Sequence, residues 1–404
     1  MTRMSAAFRL AAAAGLLAVI ISEPAVAKME KDIIRIGILN DMSGPYADLG
    51  GPGSVVAANL AVQDMADAFK GVKLEIISGD HQNKADIGSA LARRWFDQDG
   101  VDVIADVPVS SVALAVQEIG RQAKRITLMQ GSTSDLSGKA CSPYSTAWQD
   151  DTYAYSKATS QAVVLDGGKS WFFIAADYAF GQALERDAGG FIKAAGGEIV
   201  GSVRHPINAG DMSSYLLQAQ SSGAQVVGLL NGGTDLINSI KQANEFGISA
   251  SGQRVVAFLV YLTDIHALGL EATKGLLLSE GFYWDQNDAA RTWSKRYFEK
   301  MNRMPTKEQA SVYTSIVHYL KAVKAADTLD ADVVAEKMRD IPVDYFGNTG
   351  TVRIDGRVVY PLTLYQVKEP SESKQAWDYY KPVREIAAKD AFRPMSEGGC
   401  PLVK

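Results

Sequence analysis

Cysteine, histidine and long apolar runs are scarce in this chain. Cys141 and Cys400 are the only cysteines among 404 residues, and no C-x-x-C occurs. The four histidines, His81, His205, His266 and His318, include no pair at metal-ligand spacing, and H-E-x-x-H is absent. No metal or cofactor is therefore expected. The glycines lack the G-x-G-x-x-G spacing of a dinucleotide loop, no Gly-Lys-Ser/Thr follows them, and no G-x-S-x-G elbow accompanies the serines. These absences exclude a recognisable catalytic constellation, and the chain is not read as an enzyme. Basic patches are also missing from a chain of net charge −5, which argues against nucleic acid. After the N-terminus no stretch is long and apolar enough to span a membrane.

What is present begins with a leader. Arg3 and Arg9 form a positive end, Leu10 to Ile21 an apolar core, and Ala25-Val26-Ala27 a small-residue cleavage site. Residues 1–27 are thus expected to be a signal peptide, giving an exported, soluble product. In an oxidising compartment two cysteines suggest one structural disulfide, Cys141–Cys400, with two unrelated buried thiols as the alternative. The remaining stretch, about 375 residues, is too long for one ordinary core and implies about two domains.

The chain is organised around Asp32–Met65. A β-branched run, Ile33 to Leu39, leads into a loop with Gly44, Pro45, Gly50, Gly51, Pro52 and Gly53, and then into a helical pattern. This is the first βα unit of an α/β fold, with its loop at the carboxyl end of the strand, where open sheets bind ligands. Strands at Val72–Ser78, Val101–Val107 and Arg125–Met129 continue the doubly wound pattern, each ending in a hydroxyl- or glycine-rich loop. Cys141–Tyr155 breaks the periodicity and reads as a crossing between domains. A second series follows, with strands at Ser170–Ala175, Glu198–His205, Gln225–Leu230 and Arg254–Val260. Phe282-Tyr283-Trp284 reads as the return crossing, followed by helices at Ala289–Met301 and Ser311–Ala326. Asp355-Gly356 centres a hairpin-like pair, and the polar segment after Glu369 reads as a tail.

Two such lobes would face each other across a cleft and close by hinge motion. Ser132, preceded by Gly131, stands where hydroxyls and free N–H groups hold an anion, a carboxylate being the natural guess; a helix cap is the competing role. Ser110 and Ser111 share that ambiguity. Tyr46 follows Gly44-Pro45 and would point across the cleft. Tyr178, Phe180, Trp148 and Tyr261, in strand-end loops or the first crossing, would suit an apolar or aromatic ligand body, with interlobe packing as the rival role. His318 reads as packed, and His81 as a strand-end residue.

The segments ILNDMSGPYADLG, VSS, QGSTSDLSG, DYAFG and SIKQANEFGI together resemble the periplasmic substrate-binding proteins of ABC transporters, of the branched-chain amino acid type. The resemblance implies a class I periplasmic-binding fold, with two doubly wound α/β lobes joined by three hinge crossings. It divides the chain into an N-terminal lobe (32–148 and 282–346), a C-terminal lobe (149–281 and 347–368) and a tail (369–404). It also implies a periplasmic, monomeric binding protein whose partners are a small-molecule ligand and a membrane permease.

Family members that hold α-amino acids grip the carboxylate with hydroxyls and N–H groups of two first-lobe loops. Ser132 matches that pattern, whereas Val109 stands where a serine hydroxyl is usual. The acidic residue that holds the ammonium falls on Leu262 here, with Asp264 out of register. At Asn231-Gly232-Gly233, near Thr234, tyrosines of those members are replaced by glycines, which would leave room for a bulkier ligand. The chain looks most like a branch that binds benzoate- or hydroxycinnamate-type acids, as do its YWDQND segment and GGCPLVK tail. Amino acids are the first alternative, and urea or a short amide the second.

Overall fold

The computed structural model describes residues 31–404; the leader lies outside the described residues. Its frame is two parallel sheets. The first contains β1 (Ile33–Asn40), β2 (Lys73–Asp80), β3 (Val103–Asp106), β4 (Ile126–Met129) and β5 (Ser145–Ala147), in the order β2-β1-β3-β4-β5. The second contains β6 (Ser170–Ala176), β7 (Glu198–His205), β8 (Val226–Leu230) and β9 (Arg254–Ala257), in the order β7-β6-β8-β9. Both sheets are wound the same way and reverse direction between their first and third strands, so each presents a switch-point crevice at its carboxyl edge. Helices cover both faces, which is why β3, β4 and β8 are buried throughout rather than alternating. Gly37 in β1 makes one such cover possible: a Cβ there would lie 2.6 Å from the Trp95 ring of helix Ala85–Asp97.

The other strands are antiparallel: β10 (Leu277–Glu280), the meander β11 (Val343–Tyr345), β12 (Asn348–Val352) and β13 (Val358–Val359), then β14 (Leu362–Val367) and β15 (Tyr380–Ile386). β10, β14 and β15 form a sheet in that order. The meander turns at Asp355-Gly356, with Gly356 at φ +79°, and its Gly356 carbonyl accepts from Ala147 N of β5 at 2.9 Å. Helices Asp288–Met301 and Lys307–Ala326 return to the first sheet, where Arg296 pairs with Asp64 at 2.7 Å and Thr306 Oγ1 donates to the Leu49 carbonyl at 2.6 Å. The chain therefore leaves the first sheet after β5, builds the second, returns through β10, and crosses again toward β14. This is the class I periplasmic-binding architecture. Among the described residues no helix is long and apolar enough to cross a membrane.

Four details depart from the expectations. The crossing at Cys141–Tyr155 contains β5 and the start of helix Thr152–Leu165, which is capped by Asp151 accepting from Ala154 N at 3.0 Å. A short helix, Leu262–Leu268, follows β9. The tail is not an appendage: β15 lies within it, and Trp377 and Phe392 are buried. Only the two ends of β15 are buried and Pro382 to Glu385 are exposed in succession, so it lacks the alternation that marks a strand. Finally, the second return helix starts at Lys307, a turn before the expected Ser311, because Thr306 and Gln309 form a reciprocal capping box. The disulfide joins Cys141 to Cys400 with Cα atoms 5.6 Å apart.

Candidate functional site

Strand-end loops of the two parallel sheets meet across one crevice. From the first sheet come Tyr46 and Leu49 after β1, Pro108 and Ser110 after β3, and Ser132 after β4. From the second come Tyr178 and Phe180 after β6, and Leu259 and Tyr261 after β9. Glu308, on the first turn of helix Lys307–Ala326, completes the wall. The enclosed cavity measures about 20 Å³, room for roughly one water. The lobes are shut. The Tyr46 and Tyr178 hydroxyls stand 2.9 Å apart, and Thr234 N donates to the Pro45 carbonyl at 3.2 Å. A second contact joins Ser134 Oγ to Asp187 at 2.7 Å and Arg186 to Asp135 at 3.0 Å.

Six of the residues singled out from the sequence thus line one cavity: Tyr46, Ser110, Ser132, Tyr178, Phe180 and Tyr261. Ser110 Oγ accepts from Thr133 N at 3.2 Å. The capping role in the Ser132 loop belongs instead to Thr133, whose hydroxyl accepts from Asp135 N, so the Ser132 side chain is not needed as a cap.

The other five lie elsewhere. Ser111 is half-buried on helix Ser110–Ala123, away from the cavity. Gly131 shapes its loop, because a Cβ there would sit 2.7 Å from Ala113. Trp148 is fully buried, donates its ring N–H to Thr146 at 2.8 Å and packs edge-on to His318. Asn231 points inward, with Nδ2 3.0 Å from both His205 Nε2 and Ser239 Oγ. Thr234 bridges to Pro45, a latch between lobes rather than a cavity wall.

The expected space at the glycines is also taken. A Cβ on Gly232 would meet Leu259 at 2.8 Å, and one on Gly233 the Pro45 carbonyl at 2.5 Å. Gly232 thus makes room for Leu259 of its own lobe, and in the closed form Gly233 admits the opposite lobe. His81 is buried beneath its loop, where burial pushes its imidazole down to about 4. Asp264 accepts from Tyr261 N at 2.9 Å as a helix cap, and burial pushes its carboxyl up to about 7.

Sequence reasoning missed Leu49, Pro108, Leu259 and, above all, Glu308. Glu308 is 1 % exposed and accepts from the Tyr261 hydroxyl at 3.2 Å through Oε2, while Oε1 has no partner. The Thr306-x-x-Gln309 capping box is the signal that could have placed it on a helix start. Behind it Lys307 is buried, with Nζ 3.5 Å from Glu280 and 3.8 Å from Asp150 and stacked over the Tyr155 and Tyr261 rings at 4.7 and 5.1 Å. Asp106, at the end of β3, has φ +81°, and Val107 has φ +55°. A β-branched residue in the left-handed region is strained, and here the strain sits at the switch point of the sheet.

Two facing α/β lobes, a shut aromatic cavity between their strand ends and several chain crossings define a ligand-enclosing binding protein. The chain belongs to the family described as Periplasmic binding protein, whose model matches residues 33–375. A periplasmic binding protein from Burkholderia mallei is 44% identical, covering 92% of this chain and 100% of that one, with a TM-score of 0.90. A branched chain amino acid ABC transporter periplasmic ligand-binding protein from Burkholderia xenovorans LB400 is 38% identical over 92% of this chain and 100% of its own, at TM-score 0.80. Leu/Ile/Val-binding protein homolog 6 of Brucella melitensis biotype 1 is 26% identical over 60% of this chain; the match spans 62% of that relative's length. A solute binding protein of an R. palustris ABC transporter, in complex with 4-hydroxybenzoate, shares the fold at 19% identity and TM-score 0.79, covering 89% of this chain and 99% of that one.

Proposed function

We propose that this chain is the periplasmic solute-binding component of an ABC importer, and that it closes on a small carboxylate with an aromatic body, of the benzoate or hydroxycinnamate type. The observation that carries this reading is the composition of the cavity. The rings of Tyr46, Tyr178, Phe180 and Tyr261 surround two serine hydroxyls, Ser110 and Ser132, at strand ends of a first-lobe sheet. Rings supply apolar area at small entropic cost, and the hydroxyls with neighbouring N–H groups supply donors for a carboxylate. The cavity holds roughly one water, so an acid the size of benzoate requires the Tyr46 and Tyr178 rings to part and close again around it. The 4-hydroxybenzoate carried by the R. palustris neighbour is in keeping with this chemistry.

In this reading the lobes are 32–148 with 282–346, and 149–281 with 347–368. The partner is the membrane permease of the importer, and the protein acts as a monomer after signal-peptide cleavage.

A second reading, an α-amino acid, has one observation in its favour. Glu308 gives the cavity an acidic side chain although Leu262 does not, so an ammonium would meet a carboxyl after all. A thermal-shift screen separates the two. Benzoate, 4-hydroxybenzoate and 4-coumarate are expected to raise the melting temperature, as about 2.7 kcal/mol of mass-action stabilisation at a hundredfold excess over Kd would do. Leucine, valine and urea are expected to leave it unchanged. A shift with leucine and none with any aromatic acid overturns the proposal in favour of the amino acid.

A further inference from the structure

Glu308 is the only charged side chain that lines the cavity among the described residues, and its chemistry conflicts with a plain anion site. Among the described residues no cationic side chain lines the cavity beside it. Lys307, next in the chain, is engaged by Glu280 and Asp150 and lies against the Tyr155 and Tyr261 rings. A second buried carboxyl stands beside it, within hydrogen-bonding reach: Asp106 is 0 % exposed, with Oδ2 accepting from Asn40 Nδ2 and Oδ1 bonded by no donor group. Glu308 Oε1, also without a partner, sits in the nook where a side chain on Gly50 would otherwise stand, next to Asn40 Nδ2 and Ser54 Oγ. Two buried carboxyls with one unsatisfied oxygen each form an arrangement that ionises once far more readily than twice.

We propose that Asp106 and Glu308 are a proton-sharing carboxyl pair in the cleft wall, and that a carboxylate ligand is taken up together with a proton held by this pair. The proposal rests on the carboxylate reading of the cleft. An anion brought beside an ionised Glu308 in a site closed to water meets a like charge at low dielectric; a proton on the pair removes that repulsion. The balance is simple: the ligand enters as its anion, one proton comes from solvent, and no bond other than O–H forms.

Two further buried acids lie near the pair, Asp264 beneath Tyr261 and Glu280 beside Lys307, pushed up by burial to about 7 and about 8, so the variants rather than the wild-type profile alone assign the proton to Asp106 and Glu308. Burial, followed by the neighbouring Asp106 charge, holds Glu308 well above the usual carboxylate range, and burial pushes Asp106 up to about 7. Asp41, which also faces Glu308, has its carboxylate filled by Gly44 N, Tyr46 N and Asn83 Nδ2. His81, beside Asp41, is pushed down to about 4 and stays neutral. Tyr46, Tyr178 and Tyr261 are all held above their ordinary value by burial and keep their protons. Asp235 faces Tyr46 and Tyr178 from the helix after β8, with burial raising its carboxyl and Asn208 N occupying one oxygen.

The test measures binding of benzoate, which has no second ionisation, across about pH 6 to about 9 for the wild type, E308Q and D106N. For the wild type, Kd is expected to weaken with rising pH, approaching about tenfold per unit where the protonated pair becomes the minor species. Calorimetry in two buffers of different ionisation enthalpy should register proton uptake on binding. E308Q keeps the size and a donor but cannot titrate, so its profile should flatten; D106N, which keeps the size of Asp106 and removes its charge, should lessen the slope too. A flat wild-type profile, or slopes in E308Q and D106N equal to that of the wild type, overturns the inference.

A ligand-free arm separates this inference from the function it rests on. The unliganded wild type at neutral pH should show the infrared carbonyl band of a protonated carboxylic acid, diminished in E308Q. If benzoate and the other aromatic acids fail to bind, the carboxylate reading falls. If the band is absent, or unaltered by E308Q, the pair itself falls.

Discussion

Replacing both cysteines, as C141S/C400S, removes a link between residues 259 apart in sequence. The chain-entropy relation for a loop of that length puts the stabilisation at about 5 to 6 kcal/mol. The full amount is not expected, because the native state also relaxes. Beyond β15 the last segment is held by the buried Phe392 ring, which packs on Tyr360 and under Arg357, and by few polar contacts. Arg393 donates to the Ser134 carbonyl at 2.7 Å, Lys157 to the Asp390 carbonyl at 2.7 Å, and Arg353 to the Arg393 carbonyl at 2.8 Å. Of these, only the Arg393–Ser134 bond ties the tail to the loop that precedes Cys141. Once the covalent link is gone, residues 388–404 should fray, returning entropy to the native state and reducing the net loss to about 3 to 5 kcal/mol. Urea unfolding of the oxidised wild type and the double variant measures the loss, and amide exchange locates it. Protection should fall in 388–404 while β15, paired along β14, keeps its own. A loss below about 1 kcal/mol, or exchange that quickens in β15 before 388–404, refutes the reasoning.

Two further outcomes follow from the closed cleft and the buried acids. Gly233 has φ +59°, and a Cβ on it would meet the opposite lobe's Pro45 carbonyl at 2.5 Å, so G233A should obstruct closure far more than folding. Ligand affinity should fall by at least about tenfold, measured by calorimetry, while local strain costs only about 1 kcal/mol in the melt; unchanged affinity with a large drop in melting temperature contradicts this. Stability should also decline with rising pH. Burial pushes Asp106 and Asp264 up to about 7 from 3.8, and Glu280 up to about 8 from 4.5. In that window the native state keeps protons that the unfolded chain has released, so the slope of stability against pH is negative, on the order of a few kcal/mol from about pH 4.5 to about 8. A urea midpoint that is higher near pH 8 than near pH 5.5 refutes that sign.

The βα alternation, the two series of strands and the loops that face the cleft were legible in the sequence, because each rests on local periodicity and on turn residues at strand ends. Tyr46, Ser110, Ser132, Tyr178, Phe180 and Tyr261 could be picked for the same reason: they follow strands whose carboxyl ends open sheets use. The rule of position could not tell them from Trp148 and Asn231, which also follow strands or a crossing but turn inward to Thr146 and to His205. Which way a strand-end side chain points depends on its neighbour across the sheet, and the chain supplies that neighbour from far away. β15 escaped notice because it is an edge strand in which Pro382, Val383, Arg384 and Glu385 are exposed in succession, so no buried face alternates along it.

By itself the sequence determined that two α/β units alternate with crossings, and that hydroxyls and aromatic rings follow their strands. Its two cysteines allowed one disulfide. Only the tertiary structure decided the charge and shape of the cleft. Glu308 reaches the cavity because helix Lys307–Ala326 docks on the first sheet, with Gln309 Nε2 on the Gly50 carbonyl at 3.0 Å, more than two hundred residues from the loop it meets. Gly232 and Gly233 read as space for a ligand, but Leu259 of the same lobe fills the first, and the angle between lobes, which no local pattern encodes, brings Pro45 against the second. Local propensity fixes where a chain turns; long-range docking fixes what the turns enclose.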